Sequence, residues 1–266
     1  MAVSDGWFVR RAGLMAAAFI VASGLPHLAM SQDSSQRQIE FATMDLEPYG
    51  FAEADEERRG IFSEIADAIA ARSGLSIRNR VMPIKRMLKQ VELGVSDCGI
   101  FLLQGSFSES YDQVALVMEE MRAILISGQG VELDEIEDLR RYRLGWVNGT
   151  FGGTFVADDP DIERLITKSY RNSAELLLSG RVDVIAGTEL SLLYNLGQIG
   201  AVREDIGSIL TFLSSPIWLH CTQQGLSADL QARLRDAVVE IREDGTLDRI
   251  VDGYRVPELT AAEGRD

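Results

Sequence analysis

The sequence predicts an α/β protein built from two similar lobes, and three observations support this. Apolar strands alternate with glycine-punctuated helical patterns from residue 39 to residue 255. A glycine-x-x-aspartate pattern occurs twice, at Gly94-Val95-Ser96-Asp97 and at Gly180-Arg181-Val182-Asp183. Each copy stops a helix-like apolar run at its glycine and opens a short apolar strand just after its aspartate. The glycines suit the left-handed position that ends a helix. Two copies are too few for a solenoid, which needs at least about three units. Two lobes imply a cleft, and clefts hold small ligands.

The elements follow in order. The first lobe opens with an alternating strand at 39–44 and a Pro48-Tyr49-Gly50-Phe51 loop. A helix after Gly60 places Ile61, Ile65 and Ile69 on one face and ends at Gly74, as an amphipathic helix closed by a left-handed glycine should. A strand at 75–82, a helix marked by Ile84, Met87, Leu88 and Val91, and a strand at 98–103 complete the unit. Strands separated by helices in this way predict a largely parallel sheet. A strand at 121–127 leads to Gly128, where the pattern restarts. Leu139 sits in a short helical piece, and a strand at 142–147 runs into Asn148-Gly149-Thr150-Phe151-Gly152-Gly153. After a strand at 165–169, Ser173 is the expected N-cap of a helix ending at Gly180. Strands follow at 182–186, 209–213 and 217–221. Ser227 caps a long helix through Leu230, Leu234, Val238 and Ile241, closed by Gly245, and Thr246 opens a last short helix. Residues 256–266 lack periodicity and read as a loose tail.

At 266 residues and 46% hydrophobic content, the chain can bury a core in one or two domains. Residues 1–31 read apart from that core. Arg10-Arg11 precede an apolar run at 12–23, then Gly24-Leu25-Pro26 and a small-residue site at Ala29-Met30-Ser31. These are the three regions of a cleavable signal peptide. The run is shorter than the ~20 apolar residues of a membrane span, so the expected mature protein is exported and not membrane-embedded. The net charge is −15, and removing Asp5, Arg10 and Arg11 with the leader deepens it by one unit. Such a surface repels nucleic acid and anionic membranes, which excludes a nucleic-acid role. Cys98 and Cys221 lack metal-ligand spacing. In an oxidising compartment they are either a disulfide or two buried thiols. No metal site and no cofactor is expected.

Over about residues 39–255 the order and spacing of several motifs resemble the bacterial family 3 extracellular solute-binding proteins, the periplasmic receptors of polar-amino-acid ABC importers. The motifs are the Pro48–Phe51 loop after a strand, Gly60-Ile61-Phe62-Ser63-Glu64-Ile65 opening a helix, and Gly94-Val95-Ser96-Asp97. Asn148-Gly149-Thr150 after a strand, Gly180-Arg181-Val182-Asp183, and Asp244-Gly245-Thr246-Leu247-Asp248-Arg249-Ile250 continue the match. The resemblance implies a type II, two-lobed periplasmic-binding-protein-like fold, each lobe a mainly parallel sheet with flanking helices. Lobe 1 would comprise residues 39–124 plus 216–255, and lobe 2 residues 129–213. Two hinge crossings would lie near Ile124-Leu125-Ile126 and Ser215-Pro216-Ile217. The implied protein is a periplasmic monomer that captures a small polar solute between its lobes and delivers it to an ABC permease. Ligand favours the closed form because it touches both lobes only there.

The same resemblance nominates site residues. Tyr49 or Phe51 would pack an aromatic face on the ligand. Asn148 to Gly153, with Thr150, would present backbone N–H groups at a helix N-terminus, an anion site. Two family landmarks are replaced. The arginine of a threonine-x-x-arginine segment, which clamps the ligand carboxylate, becomes Tyr111 in Ser108-Glu109-Ser110-Tyr111. The aspartate that holds the ligand ammonium becomes Thr188, with Glu189 beside it. A free α-amino acid needs both charges compensated in a dry cleft, so the expected ligand is not a standard α-amino acid. Arg86 is the candidate replacement cation. Asp97 and Asp183 are expected to be structural, bonding backbone N–H groups where strands begin.

Two other classes compete. One is an orphan receptor or sensor component of the same fold. The other is an enzyme, since a few proteins of this fold act as periplasmic dehydratases. After the leader only His220 remains as histidine, so no serine–histidine or cysteine–histidine constellation arises. No catalytic residue is assigned.

Overall fold

The computed structural model describes residues 37–52, 58–102, 111–223 and 225–260. The expected signal peptide at 1–31 lies outside them. In the first lobe β1 (Ile39–Met44) is followed by a small hairpin of β2 (Phe51–Ala52) and β3 (Arg58–Arg59), then α1 (Ile61–Ser73), β4 (Ile77–Met82), α2 (Ile84–Glu92) and β5 (Cys98–Phe101). A long strand, β6 (Tyr111–Gly128), carries the chain into the second lobe. That lobe contains β7 (Leu144–Val147), α3 (Phe155–Asp158), β8 (Arg164–Thr167), α4 (Tyr170–Leu178), β9 (Val184–Thr188) and α5 (Glu189–Gln198). The return strand β10 (Ile206–Thr222) leads to α6 (Ala228–Glu243), α7 (Thr246–Asp252) and α8 (Pro257–Thr260).

One eight-stranded sheet runs through both lobes in the order β4-β1-β5-β10-β6-β9-β7-β8. Its outer thirds are parallel, β1 pairing with β4 and β5, and β7 with β8 and β9. The centre is antiparallel, with β10 pairing along β6 from Ile206 opposite Gly128 to Thr222 opposite Tyr111. The first lobe packs α1 and α6 on the sheet through Ile61, Ile65, Leu234, Val238 and Leu219. The second lobe has its own cores, one around Ile126, Tyr170 and Leu192 and another around Trp146, Leu139 and Val184.

Several expectations need correction. The strands expected at 121–127, 209–213 and 217–221 are parts of two unbroken hinge strands. Pro216 suggested a break, but it sits at a register shift between Ser215 and Ile217, where a missing N–H costs no ladder bond. The first crossing also comes earlier than 124–126. Met121 still packs in the first-lobe core, whereas Ala123 already pairs with Thr188 on β9. The charged stretch Glu119-Glu120-Met121-Arg122 interrupts the apolar pattern at the crossing, and in sequence it reads as the gap before a new strand rather than as the middle of one. Ser169 caps α4, accepting from the Asn172 N–H at 3.2 Å. Ser173 lies inside that helix, its hydroxyl 2.7 Å from that of Thr167. Finally, the tail is not loose at its start. Leu259 is fully buried in the second-lobe core, with Val256 against it, because apolar residues three apart share one helix face. Residues 261–266 lie outside the described residues.

The doubled motif builds the two lobes alike. Gly94 and Gly180 both have φ of 67°, the left-handed conformation that glycine adopts without a Cβ clash. Asp97 accepts from the Glu40 N–H at 2.9 Å and donates its own N–H to the Glu40 carbonyl at 2.7 Å. Asp183 does the same to Arg143, at 2.8 and 2.9 Å. An arginine completes each bracket, Arg37 on Asp97 and Arg143 on Asp183. Each aspartate thus ties the start of its lobe's central strand to the neighbouring one. Cys98 and Cys221 face each other across the β5–β10 ladder and form a disulfide, with sulfurs 2.06 Å apart.

Candidate functional site

Where the hinge strands pass between the lobes, a cavity of about 410 Å³ is lined from both sides. Its first-lobe wall is apolar, formed by Met44, Leu46, Phe62, Leu88 and Phe101, with Met121 and Ile217 from the hinge strands. Its second-lobe wall is Thr150, Phe151, Tyr170 and Thr188 with the backbone of Gly149, Gly152 and Gly153. No charged side chain is among the described lining residues.

Tyr49 enters from the loop after β1, and the start of α1 holds that loop. The Ile61 and Phe62 N–H groups donate to the Pro48 and Tyr49 carbonyls at 2.9 and 2.8 Å, satisfying donors that a helix start leaves unpaired. The loop and helix fit back to back because both close on glycine. A Cβ on Gly60, whose φ is 107°, would lie 2.6 Å from the Pro48 carbonyl and 2.9 Å from Gly50. The Tyr49 ring then stacks on Phe62 with centroids 4.7 Å apart. Burial pushes its phenol up to about 12; the Thr188 hydroxyl draws it partly back, and the Glu189 carboxylate adds to the rise.

Tyr170 opens α4 and faces the cavity from the other lobe. Its ring lies on the β9 backbone at Gly187, where a Cβ would sit 2.5 Å from Tyr170 Cε1. Burial raises its phenol pKa strongly, and proximity to Tyr49 reinforces that; the Thr188 backbone and the Thr150 side chain oppose it. The hydroxyls of Tyr49 and Tyr170 are both buried without a hydrogen bond of normal geometry. Thr188 ends β9 and caps α5, accepting from the Ser191 N–H at 3.3 Å. The Thr150 hydroxyl donates to the Val147 carbonyl at 2.8 Å. Phe151 next to it has φ of 50° and packs edge-on against Trp146 and Phe212. A bulky residue rarely adopts this conformation.

Of the residues expected at the site, Tyr49, Thr150 and Thr188 converge on the cavity, and five do not line it. Arg86 is exposed on α2. Met87 and Val91 bury one face of that helix while Ile84 and Leu88 meet the cavity, which leaves Arg86 towards solvent. Tyr111 is buried beneath α2. Its hydroxyl donates to the Leu88 carbonyl at 3.0 Å, its ring lies edge-on to Phe101, and burial with the Glu92 carboxylate pushes it up to about 12. Ser108, Glu109 and Ser110 lie outside the described residues. Phe51 is half-buried in the β2–β3 hairpin, and Asn148 is exposed. Glu189 is chelated by Arg122, with Nε to Oε2 at 3.0 Å. That pair lines a smaller polar recess of about 340 Å³ with Glu120 and Arg255.

The Gly-rich segment does not form the expected helix-end anion site. The helix after it, α3, is a single turn, and Thr154 caps it, accepting from the Ala157 N–H at 3.3 Å. A cation does stand at the mouth. The Lys85 stem crosses over Gly149, where a Cβ would lie 2.7 Å from Lys85 Cε. Lys85 is exposed and outside the lining.

Sequence reasoning missed Tyr170, Phe62 and Phe151. Gly187 inside an otherwise apolar strand was the available signal, because a strand glycine often marks close approach of another group. His220 is buried against Phe101, with centroids 4.4 Å apart, and lies outside the cavity. Burial pushes its imidazole down to about 4, with the Phe101 backbone pulling slightly the other way. Among the described residues no group of three or more His, Cys, Asp or Glu converges as a metal site, and none of their helices is long and apolar enough to cross a membrane.

Two α/β lobes joined by two long strands, with a cavity lined from both, define a two-lobed periplasmic-binding-protein-like fold. No protein-family profile matches the chain, and no curated protein matches it in sequence. Solved structures match it in fold. A histidine kinase sensor domain with similarity to periplasmic binding proteins has a TM-score of 0.69 at 16% identity, covering 83% of this chain and 96% of that one. An ancestral arginine-binding protein bound to arginine reaches 0.68 at 20% identity, covering 84% and 100%. The substrate-binding protein of an amino acid ABC transporter reaches 0.65 at 18%, covering 82% and 99%. The chain therefore has the two-lobed fold of these periplasmic-binding-protein-like structures.

Proposed function

We propose that the protein is an exported, periplasmic solute receptor. It captures a small molecule between its lobes and presents the closed form to an ABC permease. The observation that carries this reading is the cavity of about 410 Å³ bounded by both lobes at the hinge strands. A ligand there contacts both walls only when they are close, so binding shifts the population towards closure. The size falls in the range of ordinary small-molecule sites. The moving bodies are residues 39–121 with 216–255 and residues 123–213, joined at the two strand crossings.

The test is a thermal-shift screen over amino acids, amines, organic acids, sugars and neutral aromatics, with small-angle scattering on each hit. A receptor gains melting temperature by mass action and loses radius of gyration as it closes. A flat response across all classes would remove this reading.

A sensor role is the second reading. It is favoured by the fold likeness to a histidine kinase sensor domain and by the absence of charged side chains from the described lining. Deleting the gene separates the two. Lost uptake of the identified solute supports the importer; unchanged uptake with an altered transcriptional response supports the sensor.

A further inference from the structure

We propose that the cavity takes an uncharged, mainly apolar solute carrying a hydrogen-bonding group at one end, in the class of small phenols and aromatic alcohols. This rests on the receptor reading and narrows it to a ligand class.

The charge argument comes first. The described lining contains no Asp, Glu, Lys, Arg or His. The internal segments outside the described residues, 53–57 and 103–110, contain five acidic residues and no lysine, arginine or histidine, so their composition offers no partner to a carboxylate. Arg86 faces solvent, and Lys85 stands exposed at the mouth. Glu189 is occupied by Arg122. A buried ion without a partner is strongly disfavoured, so a carboxylate or zwitterion fits this wall poorly.

The shape of the polarity comes second. The first-lobe wall of Met44, Leu46, Phe62, Leu88 and Phe101 offers an apolar slot with an aromatic face. Beside it, Tyr49 from the first lobe and Tyr170 from the second bring two buried hydroxyls to the cavity lining without a hydrogen bond of normal geometry. Thr150 and Thr188 stand beside them with donors or acceptors already in use. A buried hydroxyl left unpaired is costly, and a ligand hydroxyl or carbonyl relieves that cost. One apolar slot and one pair of unpaired hydroxyls together specify an amphiphile with a single neutral head.

The experiment uses probes that share one ring and differ in charge: benzyl alcohol, benzoate and benzylamine, with p-cresol, toluene, L-arginine and L-glutamine. Binding is read by calorimetry, thermal shift and tryptophan fluorescence in a Trp218→Phe background of the mature protein, which isolates Trp146 beside the lining residue Phe151. Benzyl alcohol and p-cresol are expected to raise the melting temperature by about 5–10 °C at a hundredfold excess over Kd. Benzoate and benzylamine should bind at least about tenfold more weakly than benzyl alcohol. Tyr49→Phe and Tyr170→Phe should each weaken p-cresol by about 3–10-fold and leave toluene unchanged. Because neither hydroxyl has a hydrogen bond of normal geometry, both ligand-free variants should melt within about 1–2 °C of the parent.

Tighter binding of arginine, glutamine, benzoate or benzylamine than of the neutral probes overturns the inference and leaves the receptor reading standing. A response only to a polar solute such as a sugar does the same. Equal losses for toluene and p-cresol in the variants, or no loss for either, overturn the assignment of the head. Silence from every probe and from the wider solute screen removes the receptor reading, and the inference falls with it.

Discussion

Reducing the disulfide should cost this protein a large share of its stability. Cys98 and Cys221 are 123 residues apart in sequence, so their bond restricts an unfolded chain that otherwise explores a very long loop. The chain-entropy relation for a loop of that length gives about 5 kcal/mol. The native state loses little in exchange, because the two residues face each other in the β5–β10 ladder whether or not the sulfurs are joined. For a protein of this size, about 5 kcal/mol corresponds to a melting temperature about 10–20 °C lower. In guanidinium it corresponds to a midpoint about 1 M lower. The assay is equilibrium unfolding by circular dichroism with and without a phosphine reductant, at one pH. Mass spectrometry of the alkylated protein must show both thiols free. Coincident curves after complete reduction would refute the entropic reasoning, as would a native state whose near-ultraviolet spectrum collapses on reduction alone.

Three further predictions follow from the packing. Gly187→Ala places a methyl 2.5 Å from the Tyr170 ring and 2.9 Å from Leu192; it should destabilise by about 1–3 kcal/mol and abolish the response to p-cresol, whereas unchanged binding would show that Tyr170 does not form the wall. Leu259→Ala, in a tail that the sequence suggested was loose, should cost about 2–5 kcal/mol in denaturant unfolding; a value near zero would mean that α8 is undocked in solution. His220 titrates near 6.5 when unfolded and about 4 when folded, so the unfolded chain binds more protons between those values and stability falls as pH drops through that window, by roughly 3 kcal/mol at its lower end. His220→Phe should flatten the stability profile between pH 6.5 and 4 and leave the acid loss below it. That remaining loss belongs to carboxylates such as Asp183, which its hydrogen-bonded Arg143 partner holds below the usual range and whose contribution drains away as pH falls from the unfolded carboxylate range down through that lowered value.

The architecture was legible because it rests on local rules. Gly94 and Gly180 announce helix ends, and Asp97 and Asp183 announce strand starts, from a few neighbouring residues each. The hinge was less legible, since the charged Glu119-Glu120-Met121-Arg122 stretch of β6 and Pro216 of β10 each imitate a chain break where the strands run on. The site was legible only in part. Tyr49, Thr150 and Thr188 sit beside glycines or at element ends, where the sequence carries a signal. Arg86 and Tyr111 were placed by correspondence with family landmarks, and helix periodicity overrides correspondence: it turns Arg86 to solvent and leaves Tyr111 beneath α2. Phe62, on the buried face of α1, reads in sequence as an ordinary core residue. Only the approach of the second lobe makes it a wall.

The docked C-terminal segment bridges the two lobes. Tyr254 is moored to the first lobe, its hydroxyl bonded to Glu64 and to the Gly60 N–H. Val256 is already seated on the second lobe, over Gly197 of α5, where a Cβ would lie 2.9 Å from it. Two peptide steps separate these moorings, at most about 7 Å of extended chain. This short leash passes close to β6, where Arg255 shares a recess with Met118, Met121 and Arg122. Small excursions of the lobes are free, but a wide gape must first pull Leu259 out of its socket. Solute entry at that width would then carry the cost of a local unfolding event, and trimming the chain before Val256 would turn a leashed jaw into a loose one.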